Sequence, residues 1–188
     1  MGIGYEDESP EIDRRFDTLW VRYAATPGVG QPDLRSMHPL RQRQAMTHLL
    51  CQVCRKSTFG RRDERHLFLM RSRADEPIIE GEVTAVPPVH ARCAQRAITE
   101  CPHLRKGWTA ALVEHMPTWG VAGIVYDRRT LDPLPGPGPG GGGLERVSLF
   151  DSETLRWVVA ARLLVSLRGV EEIDVRHLAN VADGQPVR

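Results

Sequence analysis

Two cysteines separated by two residues, Cys51-Gln52-Val53-Cys54, are answered 36 residues later by a histidine and a cysteine at the same spacing, His90-Ala91-Arg92-Cys93. Three thiols and one imidazole are a donor set that suits a structural zinc site. The two-residue spacing lets both side chains of each pair reach a single ion. Zn2+ held by Cys51, Cys54, His90 and Cys93 is therefore the expected chemistry. The histidine is the least constrained member, because His48, Cys101 and His103 lie near enough along the chain to take its place. Nothing else reads as reaction-specific. His115 has no evident catalytic companion, and the glycine run 140–143 lacks the Gly-Lys-Ser/Thr ending of a phosphate-binding loop.

Composition bounds what such a centre could serve. With 188 residues, 41% hydrophobic and 26% charged, the chain can bury a real core. Its formal net charge of +1 makes no chain-wide case for a polyanionic partner. The charge is uneven, however. From Arg35 to Arg73 there are ten Arg or Lys against two acids, Asp63 and Glu64, which is either a phosphate-facing surface for nucleic acid or a solvated face. Glu6, Asp7, Glu8 and Glu11 stand where a signal peptide needs a basic start and an apolar run, and no stretch approaches ~18 apolar residues. A cytoplasmic protein without a membrane span is expected, and in that reducing compartment the cysteines favour metal over disulfides. Lys56 and Lys106 are the only lysines, and Ala, Gly and Pro are abundant, as in GC-rich genomes of the actinobacterial type.

The surrounding elements must aim the four donors. Pro39 opens a helix expected to run to Leu50 and to deliver Cys51. Residues 66–70 and 78–86 read as strands of a hairpin turning at 74–77, which Pro87-Pro88 ends. A helix over 89–99 then puts His90 and Cys93, three apart, on one face of its first turn. Upstream, Ser9-Pro10 and the acids that follow predict a helix over 9–23, with Ile12, Phe16, Leu19, Trp20 and Tyr23 on one face, and then a linker over 26–33. Downstream, 109–116 and 121–126 read as a second hairpin turning at 117–120, and the Pro/Gly-rich stretch 133–143 as a mobile loop. Residues 147–150 read as a short strand. A C-terminal amphipathic helix is expected over 152–168 through Leu155, Val158, Val159, Leu163 and Leu167, followed by an edge strand over 170–175. The expected class is α+β. Its segments are 1–34 (helix and linker), 35–104 (zinc module), 105–178 (hairpin plus helix) and 179–188 (disordered tail).

A C-x2-C turn, a hairpin and a helix whose first turn supplies the last two ligands resembles the treble-clef zinc-finger family over residues 51–100. The resemblance implies Cys51 and Cys54 as the knuckle ligands and His90 and Cys93 as the helix ligands. The family's commonest form has cysteine at all four positions, so His90 is a departure. HNH-type nucleases share the scaffold but need a histidine base on the hairpin and an Asn or His on the helix. His66 lies near the first position, whereas the helix holds no Asn. Zinc deaminases resemble residues 88–93 through their P-C-x-x-C signature, but the H-x-E that supplies their proton-transfer carboxylate is missing. The sequence thus points to a non-catalytic recognition or regulatory module that binds nucleic acid, another protein or a second copy of itself. A metal-dependent enzyme, an HNH-like nuclease or a zinc-dependent biosynthetic enzyme, is the alternative.

Overall fold

A computed structural model describes residues 2–23, 37–60, 63–72 and 76–180. Its elements in chain order are α1 (Pro10–Asp13), β1 (Arg14–Arg15), β2 (Thr18–Trp20), α2 (Pro39–Thr47), β3 (His66–Arg71), β4 (Val83–Thr84), α3 (Ala91–Glu100), β5 (Trp108–His115), β6 (Thr118–Val125), β7 (Glu145–Ser148), α4 (Ser152–Leu155), β8 (Val158–Ser166) and β9 (Arg168–Glu172). The fold class is α+β, with several sheets and few helices. No helix among the described residues is long and apolar enough to cross a membrane. The chain divides into two compact units, each made of two separate stretches: Met1–Arg43 with Trp119–Leu164, and Gln44–Thr118 with Val165–Arg188.

The first unit is organised on β8, in the strand order β1-β2-β8-β6-β7. The amphipathic helix expected over 152–168 is corrected here. Asp151 does cap a helix, its carboxylate accepting from Thr154 N at 3.0 Å, but α4 ends at Leu155 after one turn and Val158 onward is strand. Residues 163–166 of β8 are buried on both faces, and a strand so covered reads as an apolar run, which periodicity alone does not separate from a helical stripe. The paired β-branched Val158 and Val159 favour the strand. Close packing also fixes Gly123 of β6, where a Cβ would collide with the Val159 backbone carbonyl. Gln42, 2% exposed, serves β8 in place of a neighbouring strand. Its amide donates to Leu163 O at 2.9 Å and accepts from Leu163 N at 3.0 Å.

The N-terminal helix expected over 9–23 is corrected too. It stops at Asp13 because Phe16 and Asp17, each at φ 57°, turn the chain back on itself, pairing Arg14 with Leu19 and Arg15 with Thr18. A two-residue loop with positive φ at both central positions is a hairpin turn. β2 then pairs in parallel with β8, Leu19 with Val159 and Trp20 with Ala160. The five apolar residues therefore share no helical face: Leu19 and Trp20 are buried, while Ile12, Phe16 and Tyr23 are exposed. The expected linker over 26–33 lies outside the described residues. The stretch 133–143 contains a 3-10 turn, Pro139–Gly141, and closes on itself where Gly136 N donates to Gly141 O at 2.9 Å.

In the second unit β3, β5 and β9 form an antiparallel sheet in that order, with Leu67 opposite Leu112, Leu69 opposite Ala110 and Val113 opposite Val170. The two expected hairpins do not form. β3 pairs with β5, while the stretch 78–86 contributes only β4, which pairs with residues 165–166 of β8. β5 and β6 follow each other directly but belong to different sheets. The physical reason for the first is burial. Leu67, Phe68 and Leu69 are all covered, and β5 offers the equally buried run 110–113, whereas Ile79 is exposed. The expected edge strand over 170–175 is β9, shifted toward the N-terminus, and a 3-10 turn at Val175–Asn180 follows it. Of the expected tail, 181–188 lie outside the described residues. α3 presents Ala91 and Ala94 to a core of Leu67, Leu69, Val89, Ala110, Leu112 and Val175, and Cys51 belongs to that core.

Candidate metal centre

The four cysteine and histidine donors come together in the second unit. The Sγ atoms of Cys51, Cys54 and Cys93 and a ring nitrogen of His90 all lie within 4.8 Å of one another. The first pair sits on a tight turn. Leu50 bridges Ser57 in antiparallel fashion, Cys51 N donates to Lys56 O at 2.8 Å, and Arg55 N donates to Cys51 O at 2.9 Å. Arg55 takes φ 65° to close this turn. The second pair opens α3, with His90 at its N-cap and Cys93 in its first turn. One backbone bond joins the two pairs, Gln52 N donating to Pro88 O at 3.0 Å, and another, Val89 N donating to Leu67 O at 2.8 Å, ties the approach to α3 to β3. The centre lies at one border of the core, with Cys51 buried, His90 and Cys93 half-buried and Cys54 exposed.

The donor chemistry fits a soft or borderline cation. His90 Nε2 lies 2.8 Å from the Ser57 carbonyl, which can only accept, so Nε2 carries the proton. That leaves the lone pair of Nδ1 facing the sulfurs, 3.2 Å from Cys54 Sγ, in the way a histidine ligand is oriented by a hydrogen bond at its other nitrogen. Burial alone would raise the Cys51 pKa. The backbone N–H groups of Cys54, His90 and Val53 outweigh it, so the thiol is lowered overall. Cys93 is pushed up to about 12, first by burial and then by the neighbouring Cys51 and Cys54. Three thiolates so placed repel one another unless a cation stands among them, and a coordinated metal removes the conflict by deprotonating its thiols outright. All four cysteines are unbridged. These residues can hold a metal ion, and four protein donors complete a tetrahedral set.

The other sequence candidates stay out of the cluster. Cys101 ends α3, its N–H donating to Ala97 O at 2.9 Å, and neither His48 nor His103 joins the four donors. His66, the candidate nuclease base, is 3% exposed. Its Nδ1 lies 2.8 Å from Thr58 Oγ1, whose single proton goes to Leu49 O at 2.7 Å, so the imidazole donates here and is bound into the structure. Within the basic stretch 35–73, Arg65 pairs with Asp63 and Glu171, and Arg43 lies over the Trp20 ring. Arg55 and Lys56 at the knuckle are exposed, with Val53 and Phe59 exposed near them in the chain. Sequence reasoning missed the Ser57 carbonyl and the N–H groups directed at Cys51. These are backbone groups, and no side-chain signal reports them. No protein-family model, curated protein or solved structure matches this chain.

Proposed function

We propose that Cys51, Cys54, His90 and Cys93 hold one structural Zn2+ in a treble-clef-like module, and that the protein is a non-catalytic recognition or regulatory module for a protein or nucleic-acid partner in the cytoplasm. The observation that carries this reading is the closed donor set: four protein ligands within 4.8 Å, with the imidazole fixed by Ser57, reserve no position for water or substrate. The exposed knuckle supports a contact surface, because Arg55 and Lys56 supply phosphate-pairing charge and Phe59, 64% exposed, supplies a stacking face. The nuclease alternative loses support from His66, whose Nδ1 proton is committed to Thr58, and from an α3 without Asn.

Elemental analysis of the dialysed, reduced, full-length protein tests the metal, with about one zinc per chain expected. Folded protein carrying far less zinc sinks the reading. Fluorescence anisotropy with a single-stranded oligonucleotide then separates the partner classes. Binding that weakens with salt and is lost in an Arg55→Glu, Lys56→Glu variant assigns nucleic acid, and its absence removes single-stranded nucleic acid from the partner classes. Magnesium-dependent nicking of plasmid that disappears in His66→Ala would replace the recognition reading with the nuclease one.

A further inference from the structure

The first unit carries a second candidate site that owes nothing to the metal centre. A cavity of about 480 Å3 opens among α1, β2 and the start of α2, of a size that suits a small organic molecule. Its rim gathers three large apolar side chains that are left in water, Ile12 at 76%, Tyr23 at 49% and Leu40 at 39% exposure. Trp20, 3% exposed, also lines it and is fixed in place. Its Nε1 donates to Arg15 O at 3.3 Å, and its carbonyl accepts from the Tyr5 hydroxyl at 3.1 Å.

Two guanidinium groups line this cavity, and their situations are opposite. Arg22 is saturated: it donates to Asp13 through Nε and Nη2, to the Asp7 carboxylate through Nη1, and it lies over the Tyr5 ring. Arg43 is half-buried, its guanidinium 4.8 Å from the centre of the Trp20 ring, and no carboxylate or carbonyl among the described residues accepts from it. Burial opposes its charge and Arg15 adds repulsion. Removing a charge from water without a partner is costly, and a planar fork of donors left open beside an apolar cavity is the geometry that takes an oxyanion.

We infer that this cavity binds a small organic anion, with its carboxylate or phosphate on the Arg43 fork and its aromatic or aliphatic body against Trp20, Tyr23, Ile12 and Leu40. Asp7 and Asp13 share the single guanidinium of Arg22 on the same wall, so the cavity repels a polyanion and suits a ligand of one or two negative charges. Carboxylate and phosphate meet the fork by the same bidentate chemistry.

The test uses the full-length, zinc-loaded protein and 8-anilinonaphthalene-1-sulfonate, an anionic dye with an aromatic body. N-phenyl-1-naphthylamine, which has the body without the charge, serves as control. The expected result is saturable binding of one anionic dye per chain, displaced by phenylacetate or phenyl phosphate, the better competitor naming the anion. Arg43→Gln should weaken the anionic dye by about tenfold or more and leave the neutral dye unchanged. Arg43→Lys, which keeps the charge but loses the bidentate fork, should restore only part of the affinity. Leu40→Glu, at an exposed position that tolerates charge, should weaken the anionic dye more than the neutral one, by repulsion added to the lost apolar contact, and guards against misfolding of the Arg43 variants. Unchanged binding in Arg43→Gln or in Leu40→Glu overturns the site, as does equal binding of the neutral dye, or no saturable binding up to the order of 1 mM.

Discussion

The two units reach stability by different means. In the second, four metal donors close one border of an apolar core, and Cys51 is a member of both. In the first, the described residues hold no comparable donor cluster, and the N-terminal segment is instead fastened by charge. Arg14 donates two bonds to the Glu8 carboxylate, at 2.6 and 2.9 Å, and a third to Ile3 O, while Arg22 bridges Asp7 and Asp13. A metal centre that forms only in the folded chain contributes its binding energy to folding. An ion-pair network that is only partly buried, as Asp13 is covered and Asp7 open to water, contributes less and depends on pH and salt. The units should therefore fail under different insults.

Chelation is the largest of these. Structural zinc in small fingers is worth ~10–16 kcal/mol, which rivals the ~5–15 kcal/mol stability of a whole domain. Treatment with a strong chelator, or Cys51→Ser, should abolish amide-exchange protection in β3 and β5 and spare β6 and β8 up to Leu164. Cys101→Ser should leave both units protected. Equal loss in the two units would show that they do not fold separately, and no loss at all would remove the metal from the account. Because the thiols must lose protons to bind, zinc should be held more tightly as pH rises and released in acid.

Gln42 offers the converse experiment, a lesion in the first unit. Gln42→Met keeps the volume but strips the partners from Leu163 N–H and C=O, both buried in β8, and should cost ~2–4 kcal/mol. Exchange protection should fall in β8 up to Leu164 and in β6 while zinc content stays unchanged. A loss below ~0.5 kcal/mol would mean that water replaces the amide.

What the sequence revealed follows the range of each signal. The spacings 51/54 and 90/93 are local and chemically specific, and the structure brings those four residues together. The helix at Pro39, the helix after Pro87-Pro88 and the strands at 66 and 108 were also legible from short-range pattern. The stretches 14–20 and 158–166 were misread as helix because a covered strand and a helical stripe are both apolar runs, and what decides between them is the partner strand about 140 residues away in the sequence. The pairing of β3 with β5 in place of the nearer 78–86 is likewise settled by burial at long range. Ser57 acts through its carbonyl, which every residue possesses.

Acid should act on the first unit in a way specific to Asp13. Arg22 foremost, and then the Ser9 N–H, hold its carboxyl down at about 2, below its value in the unfolded chain. A depressed folded pKa means stability that is fully present above the unfolded value near ~3.9 and is lost as pH falls from there toward 2. Asp13→Asn should flatten that part of the acid-unfolding curve. An unchanged curve would show that the pair with Arg22 contributes nothing to folding.

The smallest effect expected bears directly on the misread N-terminus. Phe16 and Asp17 both occupy the left-handed region, where a residue with a Cβ is strained by ~1–2 kcal/mol and where Asn-Gly is the favoured pair for a two-residue hairpin turn. Replacing them, Phe16→Asn with Asp17→Gly, forfeits the contact of Arg15 with the Phe16 ring, 5.3 Å to its centre, worth ~0.5 kcal/mol at an exposed site. The strain relieved is larger, so the double variant should gain ~0.5–1 kcal/mol, a rise of a few degrees in melting temperature confined to the first unit. The helix expected from periodicity predicts the opposite sign. There Phe16 is a packed residue of an apolar face, glycine in a helix interior costs ~1 kcal/mol relative to alanine, and the same variant must lose stability. A measured loss would restore the helix and with it the single face of Ile12, Phe16, Leu19, Trp20 and Tyr23. A gain fixes the hairpin that feeds β2 into β8 and leaves Ile12 and Tyr23 at the rim of the Trp20 cavity.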